Sequence, residues 1–336
     1  MLFSLLAGAL AFSAMPASAQ RLAEPAPPVK IEVSAKPIAA FEVRDAGRRQ
    51  FGALEFRGGL ELTSPHKDFG GLSGIRLESD GARFLAITDK GNWLRARIIY
   101  QGDTPAGITD AEMAPILGAE GKPLAARGWY DIEALVGDGV GTVYVGIERV
   151  HQIVKFDYGK RGLLARGTPI ALPREMKTMP SNKGVEGLVV VPKGMPLAGA
   201  LIAISERALD PAGNIRGWLI GGPSPGDFTI KRSDDFDIGD ATLTPGGDLI
   251  LLERHFSWLR GVAMRIRRIP LASVKPGALL DGPVLISADY GFQIDNMEGI
   301  AAHRTAAGET VLTLVSDDNF SSLQRTLLLQ FTLLEP

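Results

Sequence analysis

No cysteine occurs in this chain of 336 residues, and that absence removes several chemistries at once. A disulfide framework, a thiolate nucleophile, a Cys-based zinc site and a lipid anchor on a cleavage-site cysteine are all excluded. Histidine is scarce: His66, His151, His255 and His303 are the only four, and their spacing forms no ligand pair. Charge of one sign is also missing. The net value is −2, and no Lys/Arg cluster stands beside aromatics, which argues against nucleic acid as a partner.

Long apolar runs are absent too. Met1 to Ala14 is almost wholly apolar but too short to span a bilayer comfortably. Ala17-Ser18-Ala19 before Gln20 matches a small-residue signal-peptidase site. Residues 1–19 are therefore expected to be a cleaved signal peptide, leaving a periplasmic or secreted protein with no membrane attachment. Residues 20–40, with Pro25, Pro27, Pro28 and Pro37, read as an extended Pro/Ala-rich linker. The remainder, 41–336, reads as one domain, and a domain of roughly 300 residues can bury enough surface to fold without disulfides.

What the chain does have is a pattern repeated five times. Its first half reads Gly71-Leu-Ser73-Gly-Ile75, Asp131-Ile-Glu133-Ala-Leu135, Gly184-Val-Glu186-Gly-Leu188, Ile238-Gly-Asp240-Ala-Thr242 and Asn296-Met-Glu298-Gly-Ile300. Its second half is an apolar run ending at Asp89, Glu148, Glu206, Glu253 and Asp317, each followed by Lys90, Arg149, Arg207, Arg254 and Asp318. Each repeat supplies three or four short strand-like runs separated by Gly, Pro, Asp or Asn turns. Self-similarity at this period with short strands predicts an all-β, single-domain β-propeller. Five blades are counted, and a sixth built from 41–63 and 101–128 stays open. The last repeat has only three runs, so Phe51–Phe56 or Leu60–Thr63 is expected to complete it and close the ring without a free sheet edge.

Propeller geometry places Ser73, Glu133, Glu186, Asp240 and Glu298 around one channel mouth, with the second-half carboxylates as a ring close by. Carboxylates crowded this way need a cation, neighbouring arginines or raised pKa values. Oxygen-only donors point to a hard cation, with calcium the tentative choice. In this reading Glu133, Glu186, Asp240 and Glu298 are the metal ligands. Arg149, Arg207, Arg254 and Lys90 grip anionic oxygens, and Glu148 or Asp317 is the general base. The alternative is structural: strand-end carboxylates can hydrogen-bond the next blade, and arginines can pair with them.

Other signals fail on context. Gly222-Pro-Ser224-Pro-Gly226 has the letters of a serine-hydrolase elbow but lies between β-runs, not at a strand-to-helix turn. Gly137-Asp-Gly139-Val-Gly141 lacks the helix of a dinucleotide site, and Asp235-Phe-Asp237-Ile-Gly239 has its glycine misplaced for a calcium loop.

Phe69-Gly-Gly-Leu-Ser-Gly-Ile75, Thr88-Asp-Lys-Gly-Asn-Trp93, Val185-Glu-Gly-Leu188, Leu251-Leu-Glu-Arg254, Asn296-Met-Glu-Gly-Ile300 and Ser316-Asp-Asp-Asn-Phe320 resemble the secreted bacterial phytase-like propellers, described as having esterase-like activity of phytase. The resemblance covers about 41–333. It implies a propeller, export and a phosphoester or ester substrate, and it carries over no catalytic residue. The expected function is thus a monomeric exported hydrolase acting on a small anionic or ester substrate, with a lactone fitting as well as a phosphomonoester. The rival is a non-catalytic periplasmic binding module for a small anionic ligand or a protein, since fold does not fix function. A quinone-dependent sugar dehydrogenase is a weaker third, disfavoured by the scarcity of histidine.

Overall fold

The computed structural model describes residues 26–257 and 261–334; the expected signal peptide lies outside them. Among the described residues are five antiparallel-based sheets arranged as five blades. The innermost strands are Leu72–Leu77, Ile132–Gly137, Val185–Val190, Asp237–Leu243 and Asn296–Arg304. Each packs against the innermost strand of the next, and the fifth packs against the first, which closes the ring. Among the described residues there is no sixth blade. Thr104–Pro115 is the fourth strand of blade 1, and Leu117–Gly118 pairs parallel to Arg166–Gly167 as the outer edge of blade 2.

Closure follows the expected route. Leu54–Thr63 pairs antiparallel with Thr326–Leu333 in blade 5. The stretch expected to be linker goes further and contains two strands among its described residues. Ser34–Ile38 pairs with Gly59–Thr63 as an outer fifth strand, and Val29–Lys30 adds an edge to blade 1. Pro37 is tolerated because this strand is an outer edge, where a missing N–H breaks no interior ladder. Phe41, Phe51, Phe56, Phe292 and Phe331 interlock, with ring centroids 5.0–5.9 Å apart, and pin the segment that leads into the closing strand.

The core is divided in the same way as the sheets. One apolar cluster lies at each blade–blade contact: Ile250, Leu252 and Met264 of blade 4, for example, pack with Leu312, Leu314 and Leu329 of blade 5. Strands in such clusters are apolar on both faces because both are covered. No helix among the described residues is long and apolar enough to cross a membrane.

Candidate functional site at the channel mouth

A β-bulge sits at the same place in every innermost strand. The ladder shifts between Leu72 and Gly74, Ile132 and Ala134, Val185 and Gly187, Ile238 and Asp240, and Met297 and Gly299. The bulged residues are therefore Ser73, Glu133, Glu186, Gly239 and Glu298. A bulge leaves its extra residue unpaired and re-aims the side chain, so three glutamates and a serine turn to the mouth. Blade 4 contributes a glycine.

The second strands show a matching exception. Asp89, Glu148 and Glu206 donate their backbone N–H to the carbonyls of Gly71, Asp131 and Gly184, each two residues before the bulge. Asp317 pairs with Asn296 and Arg254 with Asp237, again two residues before the bulge. The equivalent positions are thus Asp89, Glu148, Glu206, Arg254 and Asp317. Blade 4 presents a guanidinium where the other four present a carboxylate.

This register moves two expected residues. Asp240 does not join the mouth: it is fully buried, accepting from Arg76 at 3.1 and 3.3 Å and from the Ile300 N–H at 2.9 Å. The other inner strands have Gly74, Ala134, Gly187 and Gly299 there. Small residues are needed at that contact, since a β-carbon on Gly299 would lie 3.1 Å from the Gly74 Cα. Glu253 is equivalent to Thr88, Ser205 and Ser316. It is buried between Arg265 (2.6 Å) and Arg267 (2.6 and 2.8 Å), away from the ring.

Glu133, Glu148, Glu186, Glu206, Glu298 and Asp317 are all buried at the mouth. Arg254 enters their midst instead of standing outside them. Its Nη1 lies 2.7 Å from Glu298 and 3.2 Å from the Asn296 side-chain amide oxygen, and its Nη2 lies 3.5 Å from Glu206 and 3.7 Å from Glu186. Burial alone would lower the Arg254 pKa, but these carboxylates outweigh it and drive the value up. Asn296 also donates to Glu298 at 2.8 Å. Lys183 holds the other oxygen of Glu206 at 2.6 Å, and Glu148 accepts from the Gly184 N–H at 2.8 Å.

Burial, with repulsion from neighbouring carboxylates, pushes Asp89, Glu133, Glu148, Glu186, Glu298 and Asp317 toward their protonated forms. Glu133 and Glu186 lie well above the usual carboxylate range, first through burial and then through other carboxylates, Glu298 acting on Glu133 and Glu133 on Glu186. Asp317 is pushed up to about 8 by burial and by Glu298, and Asp89 to about 6 by burial. Glu148 is raised as well, mainly by burial.

One oxygen of Glu186 is buried with no hydrogen-bond partner. Glu148, Glu186 and Glu206 each offer an oxygen within 4.8 Å of the others. Oxygens bound to one calcium at 2.3–2.6 Å can stand up to roughly 5 Å apart, so this donor set fits a hard cation in chemistry and spacing.

The expected outer cations are already engaged. Arg207 pairs with Asp237 at 3.1 Å, Arg149 lies over the Tyr130 ring at 4.4 Å, and the Lys90 ammonium sits 2.9 Å from the Phe320 ring centroid. Beside the ring, a cleft of about 370 Å³ opens on blade 4, lined by Arg207, Arg232, Asp237, Arg254, His255 and Asn296 among others. Arg254 belongs to both. Sequence reasoning missed Asp131, Lys183, Arg232, Asp237 and Asn296 as neighbours of the ring. It also placed Arg254 outside, although aligning the pairs Thr88-Asp89, Ser205-Glu206 and Ser316-Asp317 with Glu253-Arg254 carries the correct register.

A family model described as "Phytase-like: Esterase-like activity of phytase" matches residues 67–320. No curated protein matches the sequence. Among solved structures, the chain is similar to an α-L-arabinofuranosidase from Podospora anserina, solved in complex with cellotriose. The identity is 12%, the TM-score 0.47, and the match covers 81% of this chain and 94% of that one.

Proposed function

This chain belongs to the phytase-like family described by esterase-like activity of phytase, and from that premise we propose that it is an exported hydrolase of a small phosphoester, carboxylic ester or lactone. Residues 1–19 support export, to the periplasm or the medium, and the working unit is a monomer without nucleic-acid or membrane partners. The observation that carries the reading is the buried Glu186 carboxylate, which has one oxygen without a hydrogen-bond partner and offers an oxygen within 4.8 Å of those of Glu148 and Glu206. A polar group left unpaired in the interior is costly, and a ligand relieves that cost.

Glu148, Glu186 and Glu206 would hold a hard cation, calcium by donor type. When bound, it would supply Lewis-acid polarisation of the scissile group and a lowered pKa for a coordinated water. Glu133 stands next to Glu186 and adds a further acceptor. Glu298, clamped by Arg254 and Asn296, orients the guanidinium that faces the cleft. Asp317, raised to about 8 in the metal-free protein by burial and by Glu298, is suited to hold a proton and donate it to a leaving oxygen, a role opposite to the general base expected from sequence. The cleft beside Arg254 would receive the rest of the substrate.

The test is hydrolysis of p-nitrophenyl acetate and p-nitrophenyl phosphate by purified protein with calcium or with chelator. We expect calcium-dependent turnover of at least one, lost in Glu186→Gln. Turnover of neither substrate, with calcium still bound, would favour the binding-module reading. Turnover unaffected by chelator and by Glu186→Gln would reject the site.

A further inference from the structure

Resting on the cation site read above, we propose that Arg254 is a built-in cation of the ring that confines an added cation to blades 2 and 3 and sets its affinity. Two coordinated departures in blade 4 support this. Where other blades have Ser73, Glu133, Glu186 and Glu298 at the bulge, blade 4 has Gly239. Where they have Asp89, Glu148, Glu206 and Asp317 at the second-strand end, it has Arg254. The two changes fit each other in space. A β-carbon on Gly239 would lie 3.6 Å from Arg254 Cδ and 3.8 Å from Cγ. The arginine stem thus packs against the glycine in ordinary van der Waals contact, a β-carbon there would also crowd the Met297 carbonyl oxygen at 3.1 Å, and the arginine head reaches the carboxylates.

The contacts of the head are graded. Glu298 is held closely at 2.7 Å, which satisfies that carboxylate and withdraws it from the ligands open to a metal. Glu206 and Glu186 are touched more loosely, at 3.5 and 3.7 Å, and the second Glu186 oxygen is left without a hydrogen bond. Two of the three candidate ligands are therefore shared between the guanidinium and any added cation. Like charges repel strongly at such range in a poorly solvated site, so the added cation sits on the side of Glu186 away from blade 4, toward Glu148. Lys183 also holds Glu206, but through a single ammonium contact on a flexible stem that can swing into solvent. Arg254 cannot withdraw, because its stem is laid over Gly239 and its head is clamped by Glu298 and Asn296.

The experiment is calorimetric titration of chelator-stripped protein with calcium chloride alone. Arg254→Met removes the charge while keeping a stem over Gly239, and it is expected to tighten calcium binding at least about tenfold by removing the repulsion. Arg254→Lys should stay near wild type. Because Arg254→Met strands a buried Glu298, the pair Glu298→Gln and Arg254→Met/Glu298→Gln repeats the comparison with that charge removed, and the double variant should bind more tightly than the single. If wild type binds calcium and removing the Arg254 charge leaves affinity equal or weaker in both backgrounds, the inference is overturned while the cation site stands. If neither wild type nor any Arg254 variant binds, the cation site fails and the inference with it. Binding that appears only in the methionine variants would support the inference.

Discussion

Arg76 of blade 1 reaches across the channel to Asp240 of blade 4 and holds both of its oxygens, at 3.1 and 3.3 Å. The guanidinium also donates to the carbonyls of Leu188, Ala241 and Ile300, so one residue ties together the inner strands of blades 1, 3, 4 and 5. Burial still outweighs the arginine and raises Asp240 to about 6. Removing one partner of a buried pair leaves an uncompensated charge at a cost of about 3–5 kcal/mol. Asp240→Asn should lose stability of that order in denaturant unfolding while calcium affinity stays unchanged. A weakened calcium affinity in this variant would return Asp240 to the ligand set.

Glu253 lies between two buried arginines, Arg265 and Arg267, and has no path to the ring. Glu253→Gln should cost about 3 kcal/mol or more, since two guanidinium groups lose their common counter-charge. Activity per folded molecule should be untouched. A selective loss of turnover in a fully folded variant would contradict the structural role.

Asp317 makes stability depend on pH. Its carboxyl titrates near 3.8 in the unfolded chain and at about 8 in the folded protein. Between those values the folded state keeps a proton that the unfolded chain has released, so stability falls as pH rises, and the loss is complete above about 8. Asp317→Asn keeps the oxygen that accepts from the Asn319 N–H and removes the titration. Its stability advantage over the metal-free wild type should grow by on the order of 1 kcal/mol per pH unit between pH 5 and 8, measured by urea midpoints. A constant difference across that range would show that the carboxyl is not held protonated.

Cation binding should release protons. Glu186 and Glu148 are both raised, chiefly by burial, and ligation requires their ionised forms. Calcium affinity should therefore rise from pH 5.5 to 8, and binding heats at pH 6 should differ between buffers of unlike ionisation enthalpy. Identical heats in both buffers would mean that the ligands are already ionised.

Truncation at the amino end should be costly earlier than the sequence suggests. Deleting residues 1–36 cuts through Ser34–Ile38, which pairs with the closing strand, and should lower the melting temperature by several degrees through the lost edge pairing. Deleting 1–64 removes Leu54–Thr63, a full partner of Thr326–Leu333, and should abolish cooperative unfolding. Intact cooperativity after the longer deletion would mean that the ring closes without that strand.

The repeat was legible because apolar runs and turns recur at each blade, and closure by residues within 51–63 followed from a blade one strand short. Glu133, Glu186 and Glu298 were legible at one mouth, with Glu148, Glu206 and Asp317 as a second ring close by, because equivalent strand ends must share a face. Pro37 misled, since a proline suits an outer edge as well as a linker.

Composition and periodicity alone determined the all-β propeller, the ring closure and the face on which the carboxylates gather, because these depend on the order of strands along the chain. Only the tertiary structure decided what blade 4 does. Side chains alternate faces along a strand, so a one-residue bulge exchanges them, and the hydroxyl-carboxylate pairs that mark the register in blades 1, 3 and 5 are replaced in blade 4 by Glu253-Arg254. Asp240 and Glu253 occupied the expected places by letter, but the ladder gives those places to Gly239 and Arg254. A ring that reads as five acidic positions is therefore built around an arginine.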